Sequence, residues 1–148
     1  TTDRRRSLAI ADLLGDGSNG HADNALQPGE MIQSIDLGDP PQGERALYKR
    51  AISRSHAEWP LVEICARAVI KDGTFQFVRL AAGGIAPVPL RLTAAEAALQ
   101  GKPADIGTIV VAAEHAASGA KPLPMTGYKL DLLKGLVRDV VERLAATP

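Results

Sequence analysis

Leu61-Val62-Glu63-Ile64-Cys65-Ala66-Arg67-Ala68-Val69-Ile70, then Lys71-Asp72-Gly73-Thr74, then Phe75 to Ala82 and the pair Gly83-Gly84, is the stretch that decides the fold. Val62, Ile64, Ala66, Ala68 and Ile70 fall on one face, and Glu63 and Arg67 mark the other. Side chains alternate across an extended chain, so this period of two predicts a half-buried strand over 61–70. Asp72-Gly73 suits a two-residue turn that needs positive φ, so the chain should reverse there and run back from Phe75 to Ala82. Gly83-Gly84 ends that strand and opens backbone conformations that a side chain would forbid. Cys65, inside the alternation, reads as a small buried hydrophobe.

Working outward, residues 45–53, with Ala46 and Tyr48, supply a third antiparallel strand. Further upstream, Met31 to Leu37 alternates as a strand would, after a turn at Pro28-Gly29-Glu30. Residues 7–14 are a strand end or one helical turn, and Gly15 to His21 is a loop by composition. Gly38-Asp39-Pro40-Pro41-Gln42-Gly43 breaks the pattern, dividing a lead-in, 1–42, from a main domain, 43–148. Downstream, Thr93-Ala94-Ala95-Glu96 reads as a capping box whose helix stops at Gly101. A second helix is expected over about 105–117. A third, over about 127–146, carries Leu132, Leu133, Leu136, Val137, Val140, Val141 and Leu144 at helical spacing. The expected fold is α+β: an antiparallel sheet of three to four strands with about three helices packed on one face.

Composition narrows the function by exclusion. The chain has 148 residues, 45% hydrophobic and 23% charged, enough for a real core. Lys+Arg and Asp+Glu both total 17, so no electrostatic footprint for nucleic acid or anionic membrane is visible. Arg4-Arg5-Arg6 is too short to change that and reads as a solvated strand end or fragment start. A single cysteine gives no internal disulfide and no paired-cysteine metal or redox motif. It fits a reducing compartment, so a cytoplasmic location is expected, with the periplasm as the other option. No apolar run approaches the roughly 20 residues of a membrane span.

Chemistry-bearing motifs are sparse. No Gly-x-Gly-x-x-Gly loop follows a strand, and no Walker phosphate loop is present. His21, His56 and His115 are scattered, with no metal-ligand spacing. His56 near Ser53 and Ser55 would be the base of a small independent enzyme, but no oriented nucleophile accompanies it. Trp59, the only tryptophan, precedes Pro60 at a strand entry. It can be core, or a flat plate against a planar ligand. The residues alone describe an α+β domain with no catalytic or metal-binding group of its own.

Several stretches, in order over nearly the whole chain, resemble the C-terminal domain of the FAD-binding subunit of molybdenum hydroxylases. This group includes carbon monoxide dehydrogenases, xanthine dehydrogenases and aldehyde oxidoreductases. Leu26-Gln27-Pro28-Gly29-Glu30-Met31-Ile32 to Ile35 is similar to the strand that closes the family's FAD domain. Tyr48-Lys49-Arg50 with Arg54, then Trp59-Pro60-Leu61-Val62, resembles its Tyr-x-Lys-x-x-x-Arg segment and the strand after it. Leu80 to Arg91, around Gly83-Gly84-Ile85-Ala86, resembles its Gly-Gly-Val-Ala hallmark. Ala94 to Gly101 and the helix opened by Tyr128 complete the match.

The resemblance implies a divided flavin site. The pyrophosphate would be held by an upstream domain whose Gly-rich loops this chain lacks, as expected of a chain that starts after them, and the part present would cover the isoalloxazine ring. Trp59 falls where relatives place a shielding aromatic. Arg50, where the family usually has Lys, and Ala51 lie on a strand approaching the flavin, and Lys71 begins a hairpin that borders the ring in some relatives. The implied assembly passes electrons from a molybdenum cofactor on a large subunit, through [2Fe–2S] clusters on a small subunit, to FAD and then to an acceptor. This domain alone would be inactive. The alternative is a stand-alone interaction or scaffolding domain without catalysis.

Overall fold

The structure, a computed structural model, describes residues 5–53 and 59–146. His56, Arg54 and Ser55, and Arg4 of the arginine cluster, therefore lie outside the described residues. The chain divides into two compact units, Thr1–Asp39 with Ala86–Val88, and Pro40–Ile85 with Pro89–Pro148.

The smaller unit holds one short helix, α1 (Ile10–Leu14). Its loops are closed by side chains that take over backbone donors: Asp16 accepts from Ser18 N–H, Asn19 from His21 N–H and Asn24 from Leu26 N–H. Arg6 grips Glu30 through Nε and Nη2 of one guanidinium edge, at 2.8 and 2.5 Å. The alternation over 31–37 does not become a strand. A strand needs a ladder partner, and the described residues offer it none, so Met31, Ile35 and Leu37 stay exposed.

The larger unit is an antiparallel meander, β1 (Glu44–Ala51), β2 (Val62–Lys71), β3 (Thr74–Gly83) and β4 (Leu90–Arg91), in the sheet order β1-β2-β3-β4. Asp72 and Gly73, at φ of 51° and 68°, make the tight β2–β3 turn expected of an Asp-Gly pair. The inward residues Val62, Ile64, Ala66 and Ala68 are buried, as are Phe75, Val78, Leu80 and Ala82 on β3. A register shift between Val69 and Ile70 lets both rows keep facing inward.

Three helices cover that face: α2 (Thr93–Leu99), α3 (Ile106–His115) and α4 (Tyr128–Ala146). Asp105 caps α3, its carboxylate accepting from Thr108 N–H at 2.8 Å. Helix α4 lies along β1 and β2 and buries Leu133, Leu136, Val137, Val140, Val141 and Leu144. At about 1.5–3 kcal/mol per fully buried aliphatic side chain, this stripe is a main tie between helix layer and sheet.

Two expectations are corrected here. Cys65 is exposed, because the alternation that buries Ile64 and Ala66 must turn their neighbour outward. The capping box does not form. Helix α2 starts at Thr93 with Leu92 at the cap position and no side-chain cap bond. Glu96 instead turns inward, where it accepts from Leu80 N–H at 2.8 Å and from Arg91 at 2.8 and 2.6 Å. A buried strand amide together with a guanidinium is a stronger set of donors than one exposed helix-end amide.

Candidate functional site

One end of the sheet gathers most of the residues that carry chemistry. There β1 finishes, β2 begins and β3 finishes, so consecutive strands bring distant residues side by side. Arg50 and Ala51 close β1 and pair with Glu63 and Val62. Leu61 N–H donates to Ala51 O at 2.9 Å, which pins the chain entering β2 against the chain leaving β1. Trp59 stands just before this clasp and is 93% exposed. The core reading of this indole is excluded; it is a bare aromatic plate on the surface.

Glycines let β3 close up to the same place. Gly83 pairs with Glu63, and a Cβ on Gly83 would collide with the Glu63 side chain, coming within 2.8 Å of its Cγ. Gly84, at φ +74°, sits against the backbone carbonyls of Leu61 and Pro60; a Cβ there would lie 3.0 Å from Leu61 O. Its own carbonyl accepts from Lys129 Nζ at 2.7 Å, so the first turn of α4 also reaches this end.

On the helix-free face, the Tyr48 hydroxyl donates to Glu63 Oε2 at 2.5 Å. That bond, burial and the Glu63 charge raise the Tyr48 pKa above its ordinary value, while the Arg50 guanidinium works in the opposite direction. Phenol, carboxylate and guanidinium thus form one cross-strand cluster. Cys65 follows directly, opposite Tyr48 in the register.

Lys71 is not part of this group. It lies nine steps along β2 from Val62, roughly 30 Å away at strand rise, in the far hairpin. A shallow groove of about 570 Å³ between β1 and the end of α4, lined by Arg45, Leu47, Arg143 and Leu144, lies toward that other end too. Among the described residues no three His, Cys, Asp or Glu side chains could hold a metal, and no helix is long and apolar enough to cross a membrane. Among the described residues, the Trp59 end has no nucleophile with an oriented base. It can stack a flat ring and place positive charge beside it.

Reading the sequence missed the Tyr48–Glu63 bond and the Lys129 contact. Both depend on strand register and helix docking, which local pattern does not encode. The alternation did put Glu63 on the outer face, which was the only available signal.

Residues 46–144 match the family model described as the CO dehydrogenase flavoprotein C-terminal domain. The chain is 32% identical over 145 residues to the aldehyde oxidoreductase FAD-binding subunit PaoB of Escherichia coli (strain K12), covering 97% of this chain and 42% of that protein. Among solved structures it resembles a carbon monoxide dehydrogenase from Hydrogenophaga pseudoflava that lacks the Mo-pyranopterin moiety of its cofactor, at 26% identity and a TM-score of 0.62. That likeness covers 67% of this chain and 36% of the other. The reconstituted CO dehydrogenase from Oligotropha carboxidovorans shares the fold at a TM-score of 0.71 and 23% identity, over 84% of this chain and 45% of the other. The chain spans less than half the length of each of these relatives.

Proposed function

The chain belongs to the CO dehydrogenase flavoprotein C-terminal domain family, and on that premise we propose that it covers the flavin in the FAD-binding subunit of a molybdenum hydroxylase. The observation that carries this reading is the lone indole, 93% exposed, at the sheet end where Arg50 and Ala51 close β1. A large aromatic left bare at a rigid strand entry suits a planar partner.

The residues present fit half of a flavin site. Trp59 offers a stacking surface and Arg50 a fixed positive charge, while Ala51 closes β1 beside them with its side chain turned to the core. At this end of the sheet Gly84, whose φ is positive, is packed against Leu61 O and Pro60 O and offers no cradle for the pyrophosphate. The rest of the grip must come from another segment. When bound, FAD supplies the electron-accepting chemistry, gaining negative charge on reduction. The chain's own part is to shield one ring face from water with Trp59 and to hold Arg50 where that charge develops. Lys71, at the far hairpin, cannot share a ring with Trp59 and drops out of the group.

The assembly follows from the same reading: an upstream FAD-binding domain, a molybdopterin-binding large subunit and a [2Fe–2S] small subunit, with electrons passing from the clusters to FAD and on to an acceptor. The test is FAD binding. The isolated 148 residues should bind FAD weakly. In a subunit joining this chain to its upstream domain, Trp59→Ala should weaken FAD binding by about 5- to 150-fold, the ~1–3 kcal/mol typical of a stacked base. Tight stoichiometric binding by the isolated chain, or an unchanged Kd in the variant, overturns the reading.

A further inference from the structure

We infer that Tyr48 and Glu63 are positioning residues that hold the Arg50 guanidinium at the Trp59 end of the sheet, an inference that rests on the flavin-covering reading above. The argument starts from the register. Arg50 and Glu63 are directly paired across β1 and β2, so their Cβ atoms are about 5 Å apart on one face. Tyr48 is two residues before Arg50 on the same strand and thus on the same face.

The hydroxyl between them can do two things at once. It donates its proton to Glu63 Oε2 at 2.5 Å, which leaves its oxygen lone pairs to accept from the guanidinium. Arg50 carries donors only, so it can join the cluster in that sense alone. Glu63 is itself fixed from the other side. Its side chain lies across Gly83 of β3, a position open only because Gly83 has no Cβ. Three strands therefore hold one carboxylate, the carboxylate holds the phenol, and the phenol oxygen meets the Arg50 guanidinium.

The arrangement is more elaborate than surface solubility requires. A long arginine side chain at a strand end would otherwise sample many rotamers, at a cost of up to ~2 kcal/mol to order it when a ligand arrives. Fixing it beforehand removes most of that cost, as preorganised groups do. The nearby carboxylate also dilutes its positive charge, so the cluster sets the strength of the cation as well as its direction.

The experiment uses the full-length FAD-binding subunit and compares Arg50→Ala, Tyr48→Phe, Glu63→Gln and Gly83→Ala. Gly83→Ala serves as the chemically silent variant, since its new methyl group displaces the flexible end of Glu63 rather than backbone. Midpoint potential and FAD affinity are read, with thermal melting to check folding. If Arg50 favours the reduced flavin, Arg50→Ala should lower the reduced-to-oxidised preference about tenfold, or ~30 mV for a two-electron couple.

Tyr48→Phe should loosen Arg50 and reproduce about a third of that change in the same direction. Glu63→Gln and Gly83→Ala should agree with each other in sign, and Glu63→Asp should restore the native potential in part. A potential that moves in Arg50→Ala but not in the other three variants overturns the positioning roles and leaves the flavin reading standing. A potential and affinity unmoved by both Arg50→Ala and Trp59→Ala overturn both. Tyr48 is 56% exposed, so its variant should fold in either event.

Discussion

Glu96→Ala is the substitution that most directly tests how the sheet and helices are joined. Glu96 is 7% exposed, yet its carboxylate accepts from Leu80 N–H of β3 and from Nε and Nη2 of Arg91 of β4. Its removal strands a buried amide, which costs about 1–3 kcal/mol. Arg91 is half exposed and can rehydrate, so the lost ion pair adds no more than ~1 kcal/mol. The sum is about 1–4 kcal/mol, or about 0.5–2 M in urea midpoint at a slope near 2 kcal/mol/M.

Glu96→Gln keeps an oxygen for Leu80 N–H and loses only the charge, so it should fall between wild type and alanine. Far-UV circular dichroism in urea reads all three. An alanine variant within 0.5 kcal/mol of wild type, or a glutamine variant as unstable as alanine, refutes the account. The pH dependence has a definite sign. Burial alone would raise the Glu96 pKa, but Arg91 and the Leu80 amide outweigh it and hold it below 4.5. A carboxyl depressed in the folded state contributes stability above its unfolded pKa and loses it as pH falls through the folded one. The Glu96 contribution should therefore be complete above about pH 5 and fade below 4.5, a fading that Glu96→Gln lacks.

Cys65 should react with a water-soluble thiol reagent without prior unfolding; protection until denaturation would contradict its place on the open face. Gly84→Ala forces a side chain into φ +74° against Leu61 O and should cost about 1–3 kcal/mol in a melting experiment, whereas a neutral result would mean the turn relaxes freely. Trp59→Ala should leave stability within about 0.5 kcal/mol of wild type, since the indole is 93% exposed, and a larger loss would show that it packs against the protein after all.

What the sequence revealed follows the range of the forces involved. The β2–β3 hairpin was legible because alternation and an Asp-Gly turn are both local. Helix α4 was legible because its apolar spacing repeats over five turns. Glu96 was misread because Thr93-x-x-Glu96 is a local pattern, while its actual donor Leu80 N–H arrives from 16 residues away. Cys65 was misread by letting the residue type override its place in the alternation. The 31–37 segment has a strand's pattern without a strand's partner. At the site, Trp59, Arg50 and Ala51 came from resemblance, and their grouping came from the register. Lys71 was separated from them by the length of β2, which no local motif measures.

The placement of the Trp59 end explains how a cover can be both rigid and exposed. The hydrophobic core runs along the helix-covered face, from Val62 through Ala68 and across to α4, and needs nothing from the indole. An uncovered tryptophan keeps its apolar surface in water, and covering about 100 Å² of it returns ~2.5 kcal/mol. That energy is unspent in the free domain and is available only to whatever closes over the plate. Holding the plate still is the task of short-range devices: the Leu61–Ala51 clasp, Gly84 packed beneath Leu61, and Lys129 reaching from α4 to the Gly84 carbonyl. Stability thus resides on one face of the sheet and the proposed recognition surface at one end of it, so either can change without undoing the other.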